Sequence, residues 1–179
     1  MVRLFVAADL PGEIREKIRE CQSELKTGRG RVTLVNPDLI HLTLKFIGEV
    51  DEPTAEKIRD ALKKIRFTCY NLEVGRIQAN NPHRPRVIWC SIRDNGESAE
   101  LHRRVEEVLE PLGIPREDRP FTSHATVARV KSYHPDLDAA LKHLEGCEFG
   151  SCRVERIILK KSTLTPSGPI YEDLMEVSC

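Results

Sequence analysis

The chain carries one short pattern twice, His41-Leu42-Thr43-Leu44 and His124-Ala125-Thr126-Val127, and the copies stand nearly half the chain length apart. Both read as strands, because polar and apolar residues alternate with the period of two that a β-strand imposes. On such a strand His41 and Thr43 share one face, while Leu42, Leu44 and Phe46 point to the other. His124 and Thr126 likewise share a face, opposite Ala125 and Val127. Six histidines and nine threonines placed at random in 179 residues would give about 0.3 His-x-Thr matches. Two matches exceed chance, although ordinary polar strand faces would show the same spacing. Each copy is also followed by a charged or turn-forming stretch and then by a helical pattern. A duplicated unit explains that order better than coincidence does.

An imidazole beside a hydroxyl can exchange a proton and donate a hydrogen bond to one and the same ligand. Two such pairs supply an acid, a base and two hydroxyl donors, which equips a cleft to attack a phosphodiester. A zinc site wants three or four convergent ligands, and neither motif has a carboxylate or thiolate at ligand spacing. No metal and no cofactor is therefore expected.

Composition narrows the partners. The 28 basic and 28 acidic residues cancel, so no general polyanion-binding surface is implied and any nucleic-acid contact should be local. A charged fraction of 31% matches the surface ion-pair networks of heat-adapted proteins without establishing them. An aromatic fraction of 5% argues against an extended base-stacking platform. The cysteines, Cys21, Cys69, Cys90, Cys147, Cys152 and Cys179, include no Cys-x-x-Cys pair, which disfavours a zinc ribbon or redox motif. Buried thiols are expected, with Cys147 and Cys152 near enough in sequence to bridge. The first residues run straight into a strand pattern with no signal-peptide architecture, and no apolar run is long enough to span a bilayer. The expectation is a cytoplasmic protein with no membrane partner.

Arg3 to Ala8 reads as a buried strand. Pro11 then opens a helix with Ile14, Ile18, Cys21 and Leu25 at intervals of three and four, broken by Gly28 and Gly30. Arg31 to Val35 fits a short strand, and Asn36-Pro37-Asp38 a turn into the first motif. Asp51 and Pro53 announce a helix carrying Ile58, Ala61, Leu62 and Ile65. Leu72 to Ile77 and Arg86 to Ile92 pair as strands around a loop rich in Asn and Pro. A third helix starts near Ser98, turns Leu101, Val105, Val108 and Leu112 inward, and stops at Gly113. The second motif strand runs to Val130, and a fourth helix carries Leu137, Ala140, Leu141 and Leu144. Strands at Ser151 to Leu159 and Tyr171 to Val177 finish the chain. Strand-helix-strand-strand-helix thus occurs twice, with hairpins in place of parallel crossovers. This predicts an α+β fold of two pseudo-symmetric lobes, each an antiparallel sheet with helices on its outer face, and an active-site cleft between the lobes. With no linker of disordered composition, residues 1–179 should form a single two-lobed domain.

Several longer stretches are diagnostic. They are Arg3-Leu4-Phe5-Val6-Ala7, His41-Leu42-Thr43-Leu44-Lys45-Phe46-Ile47-Gly48-Glu49-Val50, Phe121-Thr122-Ser123-His124-Ala125-Thr126-Val127-Ala128-Arg129, and Ser162-Thr163-Leu164 followed by Gly168-Pro169-Ile170-Tyr171. Through them the chain resembles, over essentially its whole length, the two-histidine phosphoesterases, and among them the RNA 2',3'-cyclic phosphodiesterases, also called 2'-5' RNA ligases. Members often carry Pro before the second histidine, where this chain has Ser123, and a Trp shortly before the first motif, where Arg31 to Val35 has none.

The resemblance implies hydrolysis of RNA 2',3'-cyclic phosphate ends to 2'-phosphates, with weak reversible 2'-5' ligation. Substrates would be RNA ends such as tRNA halves, or small cyclic nucleotides, taken by a monomer. The motif's symmetry does not say which histidine is the acid; the resemblance implies His41 as proton donor and His124 as proton acceptor. Thr43 and Thr126 would hold the non-bridging phosphate oxygens. A nucleotide- or RNA-binding module with vestigial catalysis is the alternative.

Further substrate-binding candidates are weaker. Arg129 suits a phosphate, but it lies five residues beyond His124, on the wrong face unless a bulge re-aims it; a structural ion pair is the other reading. Lys45 shares the parity of His41 and would add positive potential to the cleft, or end the strand in solvent. Phe46, Phe121 and Tyr171 are candidates to stack on a terminal base, with core packing the alternative for the two phenylalanines. Arg29, Arg31, Arg84, Arg86, Arg116 and Arg119 either guide an RNA backbone or are solvated loop charges. His102 and His143 are expected on helix surfaces, and His83 and His134 in exposed loops.

Overall fold

The computed structural model describes residues 1–26 and 29–179; the break expected at Gly28 lies outside them. Strand β1 (Val2–Asp9) leads into helix α1 (Gly12–Gln22), then β2 (Arg31–Leu34), β3 (His41–Val50) and α2 (Glu52–Leu62). After these come β4 (Tyr70–Ala79), β5 (Val87–Arg93), α3 (Glu97–Leu109), β6 (His124–Ser132), α4 (Asp136–Leu144), β7 (Glu148–Val154), β8 (Arg156–Thr165) and β9 (Gly168–Ser178). Local chemistry sets the boundaries. Asp51 caps α2 by accepting a hydrogen bond from the Thr54 amide at 2.9 Å, with Pro53 in the first turn, which satisfies a donor the helix cannot pair itself.

The strands lie side by side in the order β7-β4-β5-β6-β3-β1-β8-β9, with β2 also on β6, and each pairing is antiparallel. One join is unlike the rest. β3 and β6 share the single pair Leu42–Ala125, whereas the other neighbours are knit over several residues. The sheet is therefore two antiparallel halves, β9-β8-β1-β3 and β7-β4-β5-β6 with β2, meeting at one point. β6 gives its edge first to β3 at Ala125 and then to β2 from Ala128 to Ser132.

The helices exchange between the halves. α1 follows β1 but packs on β6 and β7, while α3 follows β5 but packs on β3 and α2. One continuous apolar cluster results, running from Val6, Leu42, Ile58 and Val105 to Ile18, Ile77, Ile88 and Leu144. Burying each such side chain is worth roughly 1.5–3 kcal/mol, so the exchange ties the halves together where the backbone barely does.

Both motif strands contain an extra residue. Against β1, Val6 pairs with Lys45 and Ala7 with Thr43, which leaves Leu44 as a bulge. Against β5, Ile88 pairs with Ala128 and Trp89 with Thr126, which leaves Val127 as a bulge. A bulge of one residue reverses the facing of everything beyond it.

Two expectations are corrected. Ser151 to Leu159 is not one strand: the chain passes from β7 to β8 at Glu155, changing partners from β4 to β1 and β9. Cys147 and Cys152 do not bridge, because extended chain of that length separates its ends by about 17 Å. Cys147 lies instead 3.9 Å from Cys21, sulfur to sulfur, and the disulfide joins Cys69 to Cys179 across 110 residues of chain. Among the described residues no helix is long and apolar enough to cross a membrane. Because so long a loop is closed by that bridge, Cys179→Ser should cost about 2–4 kcal/mol of stability. Denaturant melts with and without reductant check this; equal midpoints for wild type and variant under oxidising conditions would contradict it.

Candidate active site

The single pair that joins the halves also assembles the motifs. In the antiparallel register around Leu42 and Ala125, His41 stands toward Thr126 and Thr43 toward His124. Leu42 and Ala125 are fully buried, so the alternate residues, all four of the motif side chains, rise together from the opposite face.

Both imidazoles are held alike. His41 Nδ1 lies 2.7 Å from the Leu39 carbonyl oxygen, and His124 Nδ1 lies 2.7 Å from that of Thr122. A carbonyl can only accept, so each Nδ1 carries the hydrogen and each neutral ring keeps a bare Nε2. Thr43 Oγ1 is 2.9 Å from His41 Nε2. Each ring also rests on an aromatic from the neighbouring strand: His41 stacks on Phe5 at 5.0 Å between centroids, with Tyr171 edge-on at 5.6 Å. His124 lies against Trp89 at 4.4 Å. Phe5 and Trp89 were absent from the sequence reading; each sits on the strand paired with a motif, which is the signal that would have found them.

The surroundings differ in charge. Asp9 pairs with His41 across the strands and binds Lys160 at 3.1 Å and Arg15 at 3.6 Å. Ser91 occupies the corresponding place beside His124 and donates to the Gly75 carbonyl. Burial pushes the His41 imidazole below its ordinary value, against the opposing pull of the Leu39 carbonyl and the Asp9 charge.

A cavity of about 1000 Å³ opens between the halves. Its walls include His41, Thr43, Phe46 and Tyr171 on one side and Gln22, Thr33, Thr126 and Arg129 on the other. His124 stands half-buried at the margin, beside Thr126 but outside the lining. Arg3, Arg19 and Lys26 add positive charge to the wall; none of the six loop arginines singled out from sequence is part of it. Among the described residues no three His, Cys, Asp or Glu converge to hold a metal ion.

The two bulges decide where the weaker candidates fall. Beyond Val127, Ala128 turns inward and Arg129 turns to the cavity, so the bulge reading of Arg129 is the right one. Beyond Leu44 the same reversal buries Lys45 at 2% exposure and brings Phe46 out to 60%. Lys45 therefore does not share the face of His41. Its ammonium binds Glu106 at 2.7 Å and the Pro115 carbonyl at 2.8 Å. Burial opposes the Glu106 charge, yet Lys45 and the Glu117 amide hold that carboxyl below the usual range. Phe46 faces the cavity rather than the core, and Tyr171 lines it too, whereas Phe121 stacks inside on His102 at 4.5 Å. His102, expected at the surface, is 7% exposed and buried against β3.

Comparison with known proteins agrees with this geometry. The profile of the LigT-like phosphoesterases matches residues 8–89 and 93–171. The chain belongs to that family. It is accordingly an enzyme that cleaves phosphoester bonds. The protein called RNA 2',3'-cyclic phosphodiesterase in Archaeoglobus fulgidus is 38% identical over 174 residues, covering 97% of this chain and 98% of its own. That of Aeropyrum pernix is 40% identical over 147 residues, covering 80% and 84%. The crystal structure of E. coli LigT complexed with 3'-AMP superposes with a TM-score of 0.79 at 26% identity, over 99% of this chain and 97% of that one.

One titration tests the site's electrostatics. Asp9→Asn removes a charge that favours the imidazolium, so it should lower the His41 pKa further below the ordinary imidazole value. Imidazole NMR across pH 4 to about 8 reads this directly, and a His41 titration left unmoved would show that Asp9 does not reach the ring.

Proposed function

We propose that this LigT-like phosphoesterase hydrolyses 2',3'-cyclic phosphate ends of RNA to 2'-phosphates, using its own side chains as acid and base. The observation that carries the reading is the matched pair of Nε2 atoms, both freed by Nδ1 hydrogen bonds, on strands that meet at one residue pair. The names and the 3'-AMP complex of similar proteins support the substrate class.

In the proposed reaction His124 Nε2 takes a proton from water as the water oxygen bonds to phosphorus. The bond from phosphorus to the ribose 3' oxygen breaks, and protonated His41 passes its Nε2 proton to that oxygen. The 2'-phosphate remains. Burial that lowers the His41 pKa makes its protonated form a stronger acid, and an anionic phosphate beside the ring keeps the proton in place. When His41 is protonated, its Nε2–H donates to Thr43 Oγ1, leaving the threonine hydroxyl hydrogen for a non-bridging phosphate oxygen. Thr126 serves the same charge from the other strand. An RNA 5'-hydroxyl in place of water would run the sequence as 2'-5' ligation, a weak side activity. Arg129 pairs with phosphate, and Phe46 and Tyr171 flank the terminal nucleoside. Residues 1–179 work as one two-lobed monomeric domain in the cytoplasm, acting on tRNA halves or other RNA with cyclic ends, or on small cyclic nucleotides. The Cys69–Cys179 bridge is compatible with that compartment where intracellular disulfides persist, as in hyperthermophiles.

His41→Ala and His124→Ala should each lower kcat/KM by about 100-fold or more while the far-UV circular dichroism is retained. Wild type should work in EDTA on an oligonucleotide ending in 2',3'-cyclic phosphate, with a bell-shaped pH profile. Full activity in either single variant, or a 3'-phosphate product, would overturn the mechanism. Tight nucleotide binding with no turnover would leave only a binding module.

A further inference from the structure

The bulges at Leu44 and Val127 each leave a carbonyl turned away from its strand ladder toward a covering helix. Both carbonyls are met by a buried polar side chain. Gln22, at the end of α1 and 2% exposed, donates from Nε2 to the Val127 oxygen at 2.8 Å and to the Val35 oxygen at 2.9 Å. The Val35 amide donates to the same Val127 oxygen at 2.9 Å. In the other half His102, on α3, donates from Nδ1 to the Leu44 oxygen at 2.6 Å. Its Nε2 stands 3.5 Å from Glu106, which also holds Lys45, and its ring stacks on Phe121.

The two contacts occupy equivalent places. α1 follows the strand paired with the first motif and α3 follows the strand paired with the second. Each helix crosses to the other half before it grips a bulge, α1 reaching β6 and α3 reaching β3. The residue two places beyond each gripped carbonyl is one the bulge delivers to the cavity: Arg129 beyond Val127, Phe46 beyond Leu44. Without the extra residue each of those side chains would point to the core, as alternation alone predicts.

We infer that Gln22 and His102 are positioning residues for the reaction, a matched pair of clamps that fix the two bulges and thereby aim Arg129 and Phe46 into the cavity. This rests on the reading of that cavity as the site of phosphodiester hydrolysis. The clamps are side-chain donors of good geometry to buried carbonyls, and a buried carbonyl that loses its donor draws the strand toward a regular ladder that satisfies it. A regular ladder is the register in which Arg129 and Phe46 are lost from the cleft. Neither clamp touches the reacting atoms in this account; each acts through another residue.

The test is a pair of double-mutant cycles. Gln22→Met keeps the length of the side chain and removes its donors; His102→Phe keeps the stack on Phe121 and removes the Nδ1 hydrogen. Each is made alone and together with Arg129→Ala or Phe46→Ala respectively, with thermal melts confirming that every variant is folded. Two quantities are read: kcat/KM on the cyclic-phosphate oligonucleotide, and affinity for 3'-AMP. Each clamp variant alone should lose about ten- to a hundredfold in kcat/KM and bind 3'-AMP more weakly. In the Arg129→Ala or Phe46→Ala background the same change should cost about twofold or less, because the effect is already spent. His102→Gln, which restores a donor, should recover most of the loss.

Equal losses in both backgrounds would mean that the residues only support the fold, and unimpaired Gln22→Met and His102→Phe would remove the proposal outright. If wild type binds 3'-AMP with the expected dependence on the clamps but never opens the cyclic phosphate, the reaction reading fails and the clamps stand. Absence of 3'-AMP binding by wild type would overturn both.

Discussion

Everything at the cleft depends on how little β3 and β6 share. Had these strands paired along their length, the four motif side chains would lie on a closed sheet with no gap for a ligand. Instead they touch at Leu42 and Ala125, and β6 then turns its edge to β2. The cavity occupies the space released between β3 and β2, which is why its walls carry Thr43 and Phe46 on one side and Thr33 and Arg129 on the other. A sheet so weakly joined at its middle needs another source of cohesion. The crossed helices α1 and α3 provide it by burying one apolar cluster against both halves, since burial scales with area and is indifferent to which strands supply it.

The polar interior is organised by the same requirement. Gln22, Lys45, His102, Glu106 and Lys160 are all buried, and each is tied to a strand of the site or its immediate neighbour. Lys45 and Glu106 with the Pro115 carbonyl and Glu117 amide hold the approach to β6 against β3. Lys160 joins Asp9, opposite His41, to Asp173. Buried charges of this kind seldom add net stability, because desolvation offsets most of the Coulomb attraction. Their placement makes sense as geometry: they specify one backbone path where apolar packing would tolerate several.

The motifs, the duplication and the α+β class were legible in the sequence because alternation and helical spacing are local signals. What escaped was each departure from regular alternation. Parity placed Lys45 beside His41 and Phe46 in the core, and a single extra residue at Leu44 exchanged them. The same device in β6 was foreseeable from Arg129, whose chemistry demanded the face that parity denied it. The change of partners at Glu155 left a trace too, since Ile157, Ile158 and Leu159 are consecutive apolar residues that no half-buried alternating strand would carry. His102 was misread for want of counting turns. It follows Leu101 directly and precedes Val105 and Leu109 at three and seven residues, on the stripe that faces the core. Long-range pairings, such as Cys69 with Cys179, have no local signature at all.

Duplication explains the frame but not the division of labour. The bulges, the clamping donors, the Nδ1 contacts and the aromatic supports repeat from one half to the other. A strictly repeated site would hold two interchangeable imidazoles, and acid and base would have to be chosen at each encounter. The repetition ends at the residue across from each ring. Asp9 brings Lys160 and Arg15 to His41, whereas Ser91 brings a neutral hydroxyl to the strand beside His124. His41 is thus buried among fixed charges that weigh against and for its proton, while His124 sits at the cavity margin under an indole. Charge placed behind one ring of an otherwise symmetric pair is enough to separate their protonation, because a pKa responds to a neighbouring charge long before a backbone does. On that argument the acid and base of the proposed reaction are distinguished not by the motifs that carry them but by the strand partners that face them.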